Sequence, residues 1–424
     1  MKSAKALTES KLPKGAWLFV ALLSVVGCLN YLDRTIITTM RVSIIDDMPM
    51  TDAQFGLLTS IFLWVYGLLS PIAGYLADKF NRSRVIIISL FVWSAVTWLT
   101  SYATTFEQLL ATRALMGISE ACYIPAALAL IADYHRGSSR SLATGIHMAG
   151  IMIGQSLGFI GGWIAEEYAW TTSFALLGGI GIVYSAVLLM VLKDAPRQDN
   201  EKMLTKDDNG VSFIKGIRGL FSSSRFLILL IYWSLLGIVT WLVVGWLPTY
   251  YKENFNLSQA LAGLYATGYI YPASLCGVLL GGFLADKWSK KNSRARILVP
   301  FIGLCVAAPC IFLASTTSIL PLATALFMLW ALTKAFCDTN MMPILCMVAD
   351  VRYRATGYGV INMFSCIVGG LGLYAGGYLR DIDINLSNIY QFAAFTTLIS
   401  AALLFTVRPR TTDIDDTSNT RPQI

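Results

Sequence analysis

Charge is scarce in this sequence. Only 13% of its 424 residues are Asp, Glu, Lys or Arg, against ~25% in an average soluble chain. A chain of this length with so little charge cannot cover a water-facing surface, which excludes a soluble protein and indicates a polytopic membrane protein. Histidine is nearly missing, with two residues. The eight cysteines, at 28, 122, 276, 305, 310, 337, 346 and 366, all fall in apolar stretches and form no CxxC pair. That removes zinc spacings and a disulfide framework, and leaves the cysteines as small core residues. The sequence holds no Ser–His pairing, no His/Cys/Asp cluster and no phosphate-binding glycine loop, so neither an enzyme nor a cofactor or metal is expected. The net charge of +7 is scattered through short loops, a topological pattern and not a nucleic-acid patch.

Long apolar runs are what is there. About 20 apolar residues cross the ~30 Å hydrocarbon core. On that rule helices are predicted near 16–41, 54–77, 84–103, 107–133, 140–164 and 170–192, and again near 225–250, 259–285, 296–315, 317–349, 353–379 and 386–407. The chain reads as an N-terminal six-helix bundle over 1–192, a cytoplasmic linker over 193–224, a C-terminal six-helix bundle over 225–407 and a cytoplasmic tail over 408–424. Lys2, Lys5, Lys11 and Lys14 precede the first run, which is too long for a signal peptide and lacks a small-residue cleavage site, so it is expected to be a retained span. Of the 32 Lys and Arg, only Arg41, Lys252 and Arg380 fall outside, and Arg34, Arg113 and Lys334 fall within helices. The other 26 lie in inner loops and termini, which places both termini in the cytoplasm. The expected setting is the plasma membrane, or the inner membrane of a bacterium.

A repeat supports the same division. Gly74-Tyr75-Leu76-Ala77-Asp78-Lys79 ends the second helix, and Gly282-Phe283-Leu284-Ala285-Asp286-Lys287 ends the eighth, 208 residues on. Ala143-Thr144-Gly145 follows Arg140 in the fifth, and Ala355-Thr356-Gly357 follows Arg354 in the eleventh, 212 residues on. Two motifs at nearly one offset indicate an all-α membrane protein of twelve transmembrane helices in two pseudo-symmetric six-helix bundles, related by an axis along the membrane normal.

Against this background a few charged residues stand out. Asp33 and Arg34 sit inside the apolar run from Ala16 to Met40. Charged groups at that depth face a protein interior or a water path, and mark substrate or ion routes. Asp33, eight residues before Arg41, lies ~12 Å from that end, and on the fourth helix Arg113 lies ~9 Å deep and Glu120 ~20 Å deep, at 1.5 Å per residue. Asp33 and Arg113 are therefore level and expected to pair, leaving Arg34 and Glu120 for other partners. A carboxylate near the midplane can take a proton in one conformation and lose it in another. Asp33, Glu120 and Arg113 are thus candidates for proton coupling, and Arg34 for holding an anion; a structural ion network is the alternative. In the second half Lys334 either pairs with Asp338 at i, i+4 or faces the central cavity as a cation. Tyr66, Gln155, Trp241 and Asn362 are further candidate substrate-binding residues. His135 is expected to be solvated in a loop, and His147 to be a core histidine bonded to a carbonyl.

The stretch from Gly74 through Asp78-Lys79-Phe80-Asn81-Arg82-Ser83-Arg84 resembles the signature loop between helices two and three of the major facilitator superfamily. There the glycine allows close helix approach, the aspartate accepts from helix N-terminal amides or a basic partner, and the arginines hold the cytoplasmic end. Gly74, Asp78, Arg82 and Arg84, with the repeated Gly282 and Asp286, are candidate gating residues. Within the superfamily the N-half resembles the Spinster-like branch. The carrying stretches are Asn30-Tyr31-Leu32-Asp33-Arg34, Asn81-Arg82, Thr112-Arg113 through Glu120-Ala121, and Ile131-Ala132-Asp133-Tyr134. The same start and fourth-helix glutamate recur in the anion:cation symporter branch, which Val368-Gly369-Gly370 and Tyr374-Ala375-Gly376-Gly377-Tyr378 also resemble. The resemblance implies a major facilitator fold, secondary transport by alternating access, and coupling or substrate roles for Asp33, Arg34 and Glu120. The expectation is a monomer that takes up a small organic anion, such as a sugar acid, in symport with a proton or sodium. The alternative is a Spinster-like exporter of lysophospholipid or phosphorylated sphingoid cargo.

Overall fold

The computed structural model describes residues 12–13, 15–135, 139–195, 213–350 and 353–408, the side chains of 77, 78, 213–216 and 355 excepted. The four N-terminal lysines, residues 196–212 of the linker and 409–424 of the tail lie outside the described residues. Twelve helices are long and apolar enough to cross a membrane. They are Ala16–Thr39, Asp52–Leu76, Arg82–Thr100, Phe106–Tyr134, Arg140–Glu167, Trp170–Val191, Ser224–Phe255, Gln259–Ser289, Ala295–Thr316, Leu320–Val348, Thr356–Asp381 and Leu386–Thr406. All twelve expected spans are present, and every regular element among the described residues is helical.

Side chains fix several helix starts. Asn81 accepts from the Arg84 amide at the head of the third span, Thr105 from Gln108 at the fourth and Asn385 from Asn388 at the twelfth, each satisfying an amide that has no partner in the first turn. Three spans are interrupted. The fourth breaks between Glu120 and Tyr123, because the Pro125 ring stands where the Ala121 carbonyl would accept a hydrogen bond. The fifth breaks between Ser156 and Phe159, and the eighth carries a five-residue π turn at Leu264–Gly268.

The chain divides into two compact units, the first made of residues 1–50, 64–208 and 258–268, the second of 51–63, 209–257 and 269–424. In the first, span one packs along span five and span three along span six. Its core is built on Leu23, Trp93, Tyr123 and Leu130. In the second, the equivalent helices pair in the same way, seven with eleven and nine with twelve, around Phe226, Tyr232, Ile344 and Leu404. The matched pairing is the three-dimensional form of the sequence repeat.

Each unit also holds a short segment from the other half of the sequence. Within the first, Gln259 donates to the Ser43 hydroxyl at 2.9 Å and to the Gly162 carbonyl at 3.2 Å, and Glu166 accepts from the Ala260 amide at 2.7 Å. Within the second, Asp381 accepts from the Asp52 and Ala53 amides at 2.8 and 2.9 Å. Arg380 donates to Asp52 at 2.9 Å and forks onto Glu253 at 2.7 and 2.8 Å.

Spans one and five touch backbone to backbone. A Cβ at Gly154 would overlap the Cys28 carbonyl, and one at Gly150 would meet the Ser24 carbonyl. Small residues permit such approach in membranes, where no hydrophobic effect drives helices together. Gly74 behaves otherwise: a Cβ there would meet nothing within 4 Å. The close approach expected of this glycine is not made. His135 also departs from expectation, since it is fully buried instead of solvated. It lies under the Trp17 ring, 4.5 Å between centroids, with Nδ1 3.1 Å from the Ser139 hydroxyl.

Candidate functional site

The charged residues of spans one and four meet inside the first unit. Arg34 donates through Nε to Glu120 Oε2 at 2.6 Å, with side-chain exposures of 7% and 0%. The Arg34 guanidinium also lies over two rings, 4.4 Å from the centroid of Tyr31 and 4.4 Å from that of Tyr66. Aromatic faces attract a desolvated cation by their negative quadrupole, worth ~2 kcal/mol in such a setting. Asn30, fully buried, stands beside Glu120. Asp33 is buried one residue along and accepts from the Thr97 hydroxyl at 3.2 Å. Arg113, 1% exposed, attracts both Asp33 and Glu120 electrostatically and rests Nη1 on the Met116 sulfur at 3.4 Å.

Helix geometry explains why Arg34 reaches Glu120. Each Cα–Cβ bond tilts toward its own helix N-terminus, and the two spans run antiparallel. Arg34 therefore leans inward from span one while Glu120 leans outward from span four, and the two close the gap that counting residues leaves between them. Asp33 and Arg113 are level by count, yet the same rule tilts them apart. The residues left over in the expected pairing, Arg34 and Glu120, are thus partners of each other.

A lone anion or cation at such depth is costly, whereas a hydrogen-bonded pair is tolerated. The arrangement can do two things chemically. It presents a planar guanidinium between two aromatic faces, which suits a phosphate or carboxylate. It also holds a carboxylate, Glu120, hydrogen-bonded to that same guanidinium, so an incoming anion competes with Glu120 for Arg34. Tyr31, Asn30 and Thr97 were not among the expected site residues. Tyr31 and Asn30 lie within the motif that marked Asp33, but Thr97 is one hydroxyl in an apolar run and carried no signal.

The other candidates are dispersed. Gln155 is half-buried in the fifth span of the first unit. In the second unit Lys334 Nζ donates to both oxygens of Asp338 at 2.9 and 3.0 Å, so its charge is met within its own helix. Trp241 packs its indole on Gly369, where no side chain would fit, and Asn362 is half-buried. Of the loop residues, Arg82 pairs with Asp133, Arg84 is exposed, and Asp286 meets Arg296 at 3.3 Å on an exposed surface. A Cβ on Gly282 would meet the Thr339 hydroxyl at 3.3 Å. The Asp78 side chain lies outside the described residues. Among the described residues no cluster of His, Cys, Asp and Glu suited to a metal is present.

Known proteins share both sequence and fold with this chain. The sequence model of the Major Facilitator Superfamily matches residues 23–373. The protein spinster homolog 1 of Xenopus tropicalis is 28% identical over 310 residues, 70% of this chain and 59% of that protein. The sphingosine-1-phosphate transporter SPNS2 of the same species is 28% identical over 401 residues, 88% of this chain and 75% of that protein. The chain thus spans three-fifths to three-quarters of the length of these relatives. A crystal structure of a bacterial homolog to the human lysosomal transporter Spinster, inward-facing and unoccupied, matches with a TM-score of 0.73 at 21% identity, over 94% of this chain and 96% of that one. That likeness shows the fold, and the relatives agree with the Spinster-like resemblance of the N-half motifs.

Proposed function

The chain belongs to the Major Facilitator Superfamily, and on that premise we propose that it is a secondary transporter of a single-chain anionic lipid, either a lysophospholipid or a phosphorylated sphingoid base. The observation that carries this reading is the alignment over 88% of the chain with a protein named as a sphingosine-1-phosphate transporter. The sugar-acid cargo expected from the sequence takes second place. Its support is the likeness of the eleventh-helix stretches 368–370 and 374–378 to the anion:cation symporter branch, with Lys334 as a candidate added cation. The Lys334 charge is met by Asp338.

On this reading Arg34 receives the anionic head. Its fork matches phosphate oxygens bidentately, and the rings of Tyr31 and Tyr66 hold the guanidinium plane. An arriving phosphate displaces Glu120 from Arg34. The released carboxylate is then buried without its cation, and a proton is the cheapest way to stabilise it. Cargo and proton therefore load together, with Asp33 and Arg113 balancing charge beside them. Gly74, Asp78, Arg82 and Arg84, with Gly282 and Asp286, are assigned by their motif to the cytoplasmic gate of an alternating-access cycle, in a monomer with both termini in the cytoplasm.

The test is flux in proteoliposomes, with lysophosphatidylglycerol, a phosphorylated sphingoid base and gluconate compared, each with and without a pH gradient. The two lipids should show saturable flux, read by extraction onto albumin, and gluconate none. Glu120→Gln should still exchange lipid between two loaded sides but fail to concentrate it under a pH gradient. Saturable gluconate uptake without lipid flux would return the sugar-acid reading. Full pH-driven accumulation by Glu120→Gln would move coupling to Asp33.

A further inference from the structure

An apolar cavity in the first unit has no part in the site around Arg34. It measures about 660 Å³, within the range of small-molecule sites, and lies between the end of span two, most of the length of span three and the middle of span four. Ile88, Val92, Val96, Leu115 and Ile118 line it, and four of these are exposed, Ile88 to 61% and Ile118 to 49%. Its floor is small and polar only where Ser89 and Ser119 satisfy backbone carbonyls of their own bundle. One end is different: Lys79 and Arg84 stand there. The neighbouring Arg82 is taken by Asp133, whereas neither Lys79 nor Arg84 pairs with a carboxylate among the described residues, and Lys79 instead rests over the Tyr75 and Phe80 rings. From Arg84 to Val96 the trough is ~18 Å long at 1.5 Å per residue, somewhat more than one leaflet of a ~30 Å hydrocarbon core.

We propose that this trough is a binding site for an anionic phospholipid of the surrounding leaflet, with one acyl chain along Ile88, Val92 and Val96 and its phosphate between Lys79 and Arg84. An apolar trough open to the bilayer fills with acyl chain whatever the headgroup. The two cations add selectivity, because they sit at the end that the charge distribution assigns to the cytoplasm, where anionic headgroups lie. Each basic residue near such a surface is worth about a fivefold gain in anionic lipid binding. The site is independent of the cargo reading, since it involves neither Arg34 nor Glu120.

The experiment is a lipid titration of the purified full-length chain in detergent, read by native mass spectrometry as the bound fraction and by the shift of the thermal midpoint. Phosphatidylglycerol and phosphatidylcholine of identical chains are compared, with glycerol phosphate as the head alone. Phosphatidylglycerol should bind about thirtyfold more tightly than phosphatidylcholine. The double variant Lys79→Gln/Arg84→Gln should lose that preference while keeping the phosphatidylcholine affinity. Val92→Trp, which fills the trough from an exposed position and leaves the charges intact, should weaken both lipids. The lipid-free thermal midpoint confirms that each variant is folded. Equal binding of the two lipids, a preference that survives the double variant, unchanged binding to Val92→Trp, or glycerol phosphate binding as well as the whole lipid would each overturn the proposal. Because the readout is retention of lipid and not flux, its failure is distinct from failure of the transport reading.

Discussion

Arg34 is gripped from three sides, by one carboxylate and two rings, and this makes its substitutions unequal. Arg34→Ala leaves Glu120 buried without its donor, a loss of ~3–5 kcal/mol in typical buried pairs. Exchanging both partners for apolar residues of similar volume is often neutral or better. Arg34→Met/Glu120→Met should therefore unfold at or above the wild-type midpoint, while Arg34→Ala unfolds well below it. Both should lose saturable binding of an anionic lipid, and thermal unfolding beside a binding isotherm separates stability from recognition. Arg34→Lys should fold but bind at least tenfold more weakly, because a point charge cannot fork onto two oxygens or stack between Tyr31 and Tyr66. The charges themselves were legible in the sequence, since Asp33, Arg34, Arg113 and Glu120 stand out from apolar runs. Their pairing was not. Counting 1.5 Å per residue gives depth but ignores the tilt of each side chain toward its own N-terminus, and that tilt gives Glu120 to Arg34. Lys334 was the opposite case: spacing offered Asp338 as one of two alternatives, the other being the cavity, and Asp338 is its partner.

Helices carry the second set of expectations. Glycine at two positions should respond with opposite signs to one methyl group. At Gly154 an added Cβ would run into the Cys28 backbone, so Gly154→Ala should lower the thermal midpoint and, if the spans part to accommodate it, loosen the packing of span one. At Gly74 the Cβ meets nothing, so Gly74→Ala should raise stability by roughly 0.5–1 kcal/mol through the ordinary helix preference of alanine. Thermal unfolding of the two single variants in one detergent decides both. Hydropathy found all twelve spans because a run of apolar residues needs no context to declare itself. It could not find the break at Ala121–Cys122 or the π turn at Leu264–Gly268, which leave composition unchanged. Pro125 offered the first in principle, four residues downstream of the carbonyl it excludes. Pro71 shows why that signal is not decisive, for it lies within an unbroken helix.

At the scale of the whole molecule, orientation is the expectation that the basic residues carry. With the exposed native Cys276 and Cys305 replaced by serine, Thr104→Cys should react with a membrane-impermeant maleimide in intact cells. Ser222→Cys should react only after permeabilisation, and the reverse pattern would invert the assignment. Both positions are exposed, so failure to label is not a matter of burial. The backbone contact between spans one and five has a further consequence, a mechanical one. Where two cylinders touch through side chains, one can roll on the other by exchanging rotamers. Where Gly150 and Gly154 seat the Ser24 and Cys28 carbonyls directly, a roll of even part of a turn would drive side chains into backbone. Span one has lost its rotational freedom, and the direction in which Arg34 points is set where the glycines of span five hold Cys28 and Ser24, about two and three turns of helix before it. Any conformational cycle of this protein must carry spans one and five as one lever, and the arm that bears Arg34 can be swung but not twisted.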